Sequence, residues 1–157
     1  MNNSKDAITS KLITIMANET LVIAYKLMKS KNIRHLPVTD ERNKIVGILS
    51  DRDIQRGMQV TKVNTFQQEI SLNGELKVED FMSWPVYTVS EETPIKKVVS
   101  EMLSQKVSAF LVQDNFEQIK GIITTDDILK LFLTEMDKEQ SKSFNKLSFY
   151  FNQNELY

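Results

Sequence analysis

The chain has no cysteine and a single histidine, His35. The first absence excludes disulfides, thiolate metal sites and a cysteine nucleophile. The second leaves little material for a multi-histidine metal site or for histidine acid–base catalysis. Glycine occurs only at 47, 57, 74 and 121, so neither a phosphate-binding Walker loop nor a dinucleotide fingerprint exists. An excess of one charge is also missing: 20 basic residues face 21 acidic ones, for a net charge of −1 and a pI near 5.9. Such a chain has no global positive field to gather nucleic acid or an anionic membrane. No apolar run approaches the ~20 residues that span a bilayer, and the start, Met1 to Ala7, has no apolar signal-peptide core. The expectation is a soluble, unexported, cytoplasmic protein with no nucleic-acid partner and no membrane insertion.

What is present is a core and a repeat. Hydrophobic residues make up 41% of 157, enough to fold without staples. At a constant offset of 74 residues, Leu12-Ile13-Thr14-Ile15 falls on Val86-Tyr87-Thr88-Val89, and Met28 falls on Met102. Ile45-Val46-Gly47-Ile48 falls on Ile119-Lys120-Gly121-Ile122, and Ser50-Asp51-Arg52-Asp53-Ile54 on Thr124-Thr125-Asp126-Asp127-Ile128. A register that long without a gap marks two copies of one supersecondary unit. In each copy a short strand, about Ile13–Ile15 and Tyr87–Val89, precedes a helix. Leu21, Ala24, Leu27 and Met28, like Ile95, Val98, Val99 and Met102, have the spacing of one buried stripe. Two β-rich runs around a short polar turn come next, His35–Thr39 with Ile45–Leu49 and Ala109–Gln113 with Ile119–Ile123. A second helix starts at Ser50 and at Thr124. The fold class is therefore α/β (α+β), a tandem β-α-β-β-α repeat with pseudo-twofold symmetry. Residues 5–58 form the first repeat, 59–76 read as a polar linker, 77–133 form the second repeat, and 134–157 form an aromatic C-terminal extension.

The paired units, with Ile33-Arg34-His35-Leu36-Pro37-Val38-Thr39-Asp40 and Val46-Gly47-Ile48-Leu49-Ser50-Asp51-Arg52-Asp53, resemble the CBS domain family, named after cystathionine β-synthase. Two tandem copies resemble a Bateman module, and the likeness covers about Lys5 to Leu133. The resemblance implies clefts between sheet-packed repeats, a flat homodimer, and binding of adenosyl compounds: AMP, ADP, ATP, S-adenosylmethionine or NAD. It also implies regulation of a partner protein, here unknown. With no enzyme or transporter sequence alongside, the chain reads as a stand-alone module without catalytic machinery.

Ser50 and Asp53 have two readings. As a capping box, the hydroxyl accepts from the N3 amide and the carboxylate returns to the N-cap amide. As a nucleotide site, the carboxylate accepts from both ribose hydroxyls while the hydroxyl and free helix amides meet phosphate oxygens. Thr124 and Asp127 repeat the pattern. Carried over by position, the family likeness implies a first pocket of Arg34, His35, Ile48, Ser50, Arg52 and Asp53, with Met82, Tyr87 and Val107 walling the base. It implies a second of Ser108, Ala109, Ile122, Thr124 and Asp127, with Ile8, Ile13 and Ile33 opposite. The first carries Arg34, His35 and Arg52 where the second has Ser108, Ala109 and Asp126, so phosphate should favour the first. Acidic pairs such as Glu91-Glu92 and Asp126-Asp127 read as helix-start charges rather than metal ligands.

Phe144, Phe149, Tyr150, Phe151 and Tyr157 lie beyond the repeat. A helix from Thr125 to about Asp137 precedes them, and Lys146–Phe151 fits either a strand or a short helix. Aromatic surface of that kind is rarely left wet, so the tail is expected to dock on its own module, on a second copy, or on a partner. The competing reading is a structural or interaction protein that keeps the fold, binds no nucleotide and works through this extension.

Overall fold

A computed structural model describes residues 3–64 and 67–152, with side chains over 3–58 and 71–138. The elements in chain order are β1 (Ile15–Met16), α1 (Leu21–Lys31), β2 (His35–Thr39), β3 (Ile45–Ser50), α2 (Asp51–Arg56), β4 (Met58–Asn64) and β5 (Gln67–Leu72). After these come β6 (Thr88–Ser90), α3 (Ile95–Gln105), β7 (Ala109–Gln113), β8 (Ile119–Thr124) and α4 (Thr125–Asn152). The β-α-β-β-α order occurs twice, as the offset of 74 requires.

The chain forms two compact units. One is Lys11–Thr88; the other joins the first ten residues to the part from Val89 onward. In the first unit, β1 pairs parallel with β2 and β2 antiparallel with β3. Helix α1 is opened by the Thr20 hydroxyl, which accepts from the Ile23 amide, and closed by Asn32 in the left-handed region (φ 52°). Its stripe of Leu21, Ala24 and Met28 is buried with Leu36, Val38, Leu49 and Ile54. The second unit has the sheet order β6-β7-β8 and buries Val98 and Met102 of α3 with Phe110, Val112 and Ile123.

The β2–β3 and β7–β8 hairpins each turn on an aspartate. Asp40 Oδ1 accepts from the amides of Arg42 and Lys44, and Asp114 Oδ1 from those of Phe116 and Gln118. In the second turn Lys120 Nζ also lies 2.9 Å from Asp114 Oδ2. That hydrogen bond holds the Asp114 carboxyl below, and the Lys120 ammonium above, its ordinary range.

Each sheet gains an extra edge from the segment leading toward the next repeat or from the chain start. Ser83 exchanges both backbone hydrogen bonds with Ile48, and Thr9 does so with Ile122. Gly121 permits the second approach, because a Cβ there would meet the Thr9 carbonyl oxygen at 2.5 Å. Ser4 anchors the same segment, its hydroxyl donating to the Thr93 carbonyl at 2.9 Å.

Two parts differ from the sequence expectation. Between the repeats, the segment expected as a polar linker carries strands not read from the sequence: β4 and β5 form an antiparallel hairpin with Met58 opposite Leu72 and Val60 opposite Ile70. Met58 and Leu72 root it on the first unit's core. The extension is neither a strand nor a separate short helix: α4 runs without a break to Asn152, well past Asp137. No glycine or proline interrupts Thr125 to Asn152, so the sequence offers no stop signal. Residues 153–157 lie outside the described residues. The first strand of each repeat also sits slightly later than expected, at Ile15–Met16 and Thr88–Ser90.

Candidate functional site

The repeated Ser/Thr-x-x-Asp folds the same way in both units. Strand β3 ends at Ser50, whose side chain caps α2; strand β8 ends at Thr124, which caps α4. Asp53 Oδ2 accepts from the Ser50 amide at 2.8 Å and from the Ser50 hydroxyl at 2.6 Å. Asp127 Oδ2 accepts from the Thr124 amide at 2.9 Å and from its hydroxyl at 2.6 Å. The capping box is thus real, and it fixes one oxygen of each carboxylate while leaving the role of the other to its surroundings.

Those surroundings differ. Asp53 is 9% exposed, and its Oδ1 is 2.9 Å from Arg56 Nη2, which also donates to the Phe81 carbonyl at 2.9 Å. Asp127 Oδ1 instead accepts from the Thr9 hydroxyl at 3.3 Å. It opens on a cavity of about 550 Å³ lined by the 6–9 segment and the α4 face Asp127, Lys130, Leu131, Thr134, Glu135 and Lys138. Along that face Lys138 Nζ pairs with Glu135 Oε1 at 2.8 Å.

Cross-strand register gathers part of each expected pocket. His35 lies opposite Ser50, and Ile48 is two residues back on β3, so the three share a sheet face beside Asp53. Ala109 lies opposite Thr124 in the same way, with Ile122 on the same face and Ser108 accepting at its carbonyl from the Thr125 amide. Ile8 packs against the second unit's core, close to where Thr9 meets Ile122.

The remaining expected residues have these surroundings within their own units. Arg34 lines a cavity of about 260 Å³ between α1 and α2, together with Tyr25, Lys29, Asp51 and Gln55. The Arg52 side chain is exposed on the first turn of α2, and Tyr87 is 45% exposed. Met82 packs on the first unit's core beside Gly47. Val107 belongs to the second unit's core, and Ile13 and Ile33 to the first unit's. Sequence reasoning missed Arg56 and Thr9. Arg56 stands three residues after Asp53, where a helix returns to the same face, and Lys130 holds the matching place after Asp127; that spacing was the available signal.

The family model described as the CBS domain matches residues 5–59 and 78–134. The chain belongs to the CBS domain family. Among similar structures is the CBS domain pair of protein MJ0100 in complex with 5′-methylthioadenosine and S-adenosyl-L-methionine. It is 28% identical, with a TM-score of 0.69 over 86% of this chain and 98% of that one. A conserved CBS domain protein of Thermoplasma acidophilum shares the fold at 22% identity and a TM-score of 0.68, over 82% of this chain and 67% of that one. An L-aspartate semialdehyde sulfurtransferase of Methanocaldococcus jannaschii is 30% identical over 128 residues, covering 82% of this chain and 23% of the relative. The chain thus spans about a quarter of the length of such enzymes, and the likeness is to their CBS portion.

Proposed function

We propose that this CBS pair is a regulatory module that binds adenosyl compounds, one ribose on Asp53 and one on Asp127, and that occupancy alters its affinity for a partner protein. The observation that supports it is the matched capped carboxylate in both units, with the Asp127 copy facing a cavity large enough for a nucleotide. A charged acceptor held by its own N-cap is preorganised for ribose hydroxyls, and helix amides beside it suit a phosphate or carboxylate. The related pair in complex with S-adenosyl-L-methionine and 5′-methylthioadenosine makes these two ligands, with AMP, ADP, ATP and NAD, the panel to test. Ile48, Met82, Tyr87 and Val107 are the proposed apolar wall for one base, and Ile8, Ile13, Ile33 and Ile122 for the other. Regulation by such a ligand requires different affinities in two states of the module. The cytoplasm, a reducing compartment in keeping with the cysteine-free sequence, is the proposed location.

Isothermal titration with that panel on wild type, Asp53→Ala and Asp127→Ala is the test. Each substitution should weaken one binding step by about 10- to 150-fold, the worth of a charge-assisted hydrogen bond of roughly 1.5–3 kcal/mol. Affinities unchanged in both variants, with only the melting temperature lowered by a lost cap, would leave the pair as helix caps and reject the site.

A second reading concerns assembly. Leu129, Phe132, Leu133 and Met136 of α4 are 60%, 59%, 61% and 43% exposed, at the i, i+3, i+4, i+7 spacing of a single apolar stripe. A homodimer that pairs this helix with its copy is the proposed occupant, and it is compatible with ligand sensing.

A further inference from the structure

The two carboxylates are equivalent in their caps and unequal in what holds the second oxygen. We infer that Arg56 is the residue that makes the Asp53 site select phosphorylated adenosyl ligands over neutral ones, while the Asp127 site lacks this filter; the inference rests on the nucleotide reading of these sites. A carboxylate offers about four lone-pair positions. On Asp53, two are taken at Oδ2 by the Ser50 amide and hydroxyl, and Oδ1 is engaged by the Arg56 guanidinium at 2.9 Å. The same Nη2 is tied to the Phe81 carbonyl, so the side chain is braced against the carboxylate even though it is 64% exposed. About one position is left, so a ribose that donates from both hydroxyls needs the Oδ1 direction that Arg56 holds and must push the guanidinium off Asp53.

The ligand's own chemistry decides whether that displacement is compensated. A neutral nucleoside leaves the displaced cation with the Phe81 carbonyl alone. A 5′-phosphate supplies a pair of anionic oxygens that the planar guanidinium fork can meet bidentately, and the ion pair is exchanged rather than lost. In the second unit the homologous position is Lys130, and no ion pair joins it to Asp127 among the described residues; Asp127 Oδ1 meets only the Thr9 hydroxyl, at 3.3 Å. Adenosine and AMP therefore meet no comparable barrier there.

The test isolates the Asp53 site in the Asp127→Ala chain and titrates it with adenosine and with AMP. AMP should bind at least about tenfold tighter than adenosine, one charge-assisted hydrogen bond's worth. Adding Arg56→Gln should raise adenosine affinity and lower that of AMP until the two lie within about threefold, and Arg56→Lys, which keeps charge but not the fork, should fall between. Thermal melts of each variant check folding; if Arg56→Gln is unfolded, the Lys variant carries the comparison. Equal affinities for adenosine and AMP with Arg56 in place, or selectivity that survives Arg56→Gln, overturn the inference while leaving the nucleotide reading intact. Binding by wild type that vanishes in Asp127→Ala and is not recovered by Arg56→Gln also overturns it. No heat with either ligand in wild type rejects the nucleotide reading itself, and the inference with it.

Discussion

At the scale of single residues, the two repeats are most informative where they disagree. Both first helices end in the left-handed region, but α1 does so on Asn32 (φ 52°) and α3 on Lys106 (φ 56°). Asparagine tolerates that region; lysine carries the Cβ penalty without compensation. Lys106→Gly should therefore stabilise the protein by about 0.5–1 kcal/mol, read as a shifted midpoint in denaturant with unchanged slope. The Asp114–Lys120 pair is a second disagreement, since Val46 stands where Lys120 does. Asp114 is held below its ordinary value near 3.8, so its share of stability is present above that pH and is lost as pH falls through the depressed value. Lys120 is raised above 10.5, so its share is full below that pH and is lost as pH rises through the raised value. The stability gap between wild type and Lys120→Gln should accordingly be widest from about pH 5 to 9 and shrink at both extremes. A gap independent of pH would mean that the lysine acts only through packing.

At the scale of elements, helices and hairpins announced themselves wherever composition was decisive. The stripe Leu21, Ala24, Met28 and its copy in α3 are buried as their spacing requires, and the Asp40 and Asp114 turns close the hairpins between β2 and β3 and between β7 and β8. The β4–β5 hairpin escaped because its apolar positions, Met58, Val60, Ile70 and Leu72, are diluted among Gln, Thr, Lys and Asn. Their pairing becomes visible only when strand register sets 58 against 72. The length of α4 escaped for another reason. A helix end is recognised by its stop signals, and aromatic residues are not one; with no glycine or proline before Asn152 the helix simply continues. At the site, the capped aspartates were legible from a local motif, whereas the Arg56 contact needed the backbone turn that brings the Phe81 carbonyl to the same guanidinium. The exposed stripe of α4 belongs to this scale too. Leu133→Asp with Phe132→Asp should convert a dimer to a monomer in light scattering, with the melting profile of each unit retained, because these side chains are more than half exposed in the single chain. A variant that stays dimeric at low micromolar concentration would remove α4 as the pairing surface.

At the scale of the whole molecule, repeat and compact unit do not coincide. The first ten residues pair with β8 through Thr9 and Ile122, fasten at Ser4 to Thr93, and line the cavity at Asp127, yet from residue 5 on they belong to the first repeat in the chain. One unit is therefore a single stretch, and the other is discontinuous, interrupted by the whole of Lys11–Thr88. The order of synthesis acts on this difference. The continuous unit has all of its residues once Thr88 has left the ribosome, whereas the interrupted unit must join two stretches across the intervening chain. The N-terminal segment must meanwhile wait, unpaired, until β8 emerges. The Asp127 cavity is consequently closed by two stretches of chain that lie 118 residues apart where the Thr9 hydroxyl meets the Asp127 carboxylate.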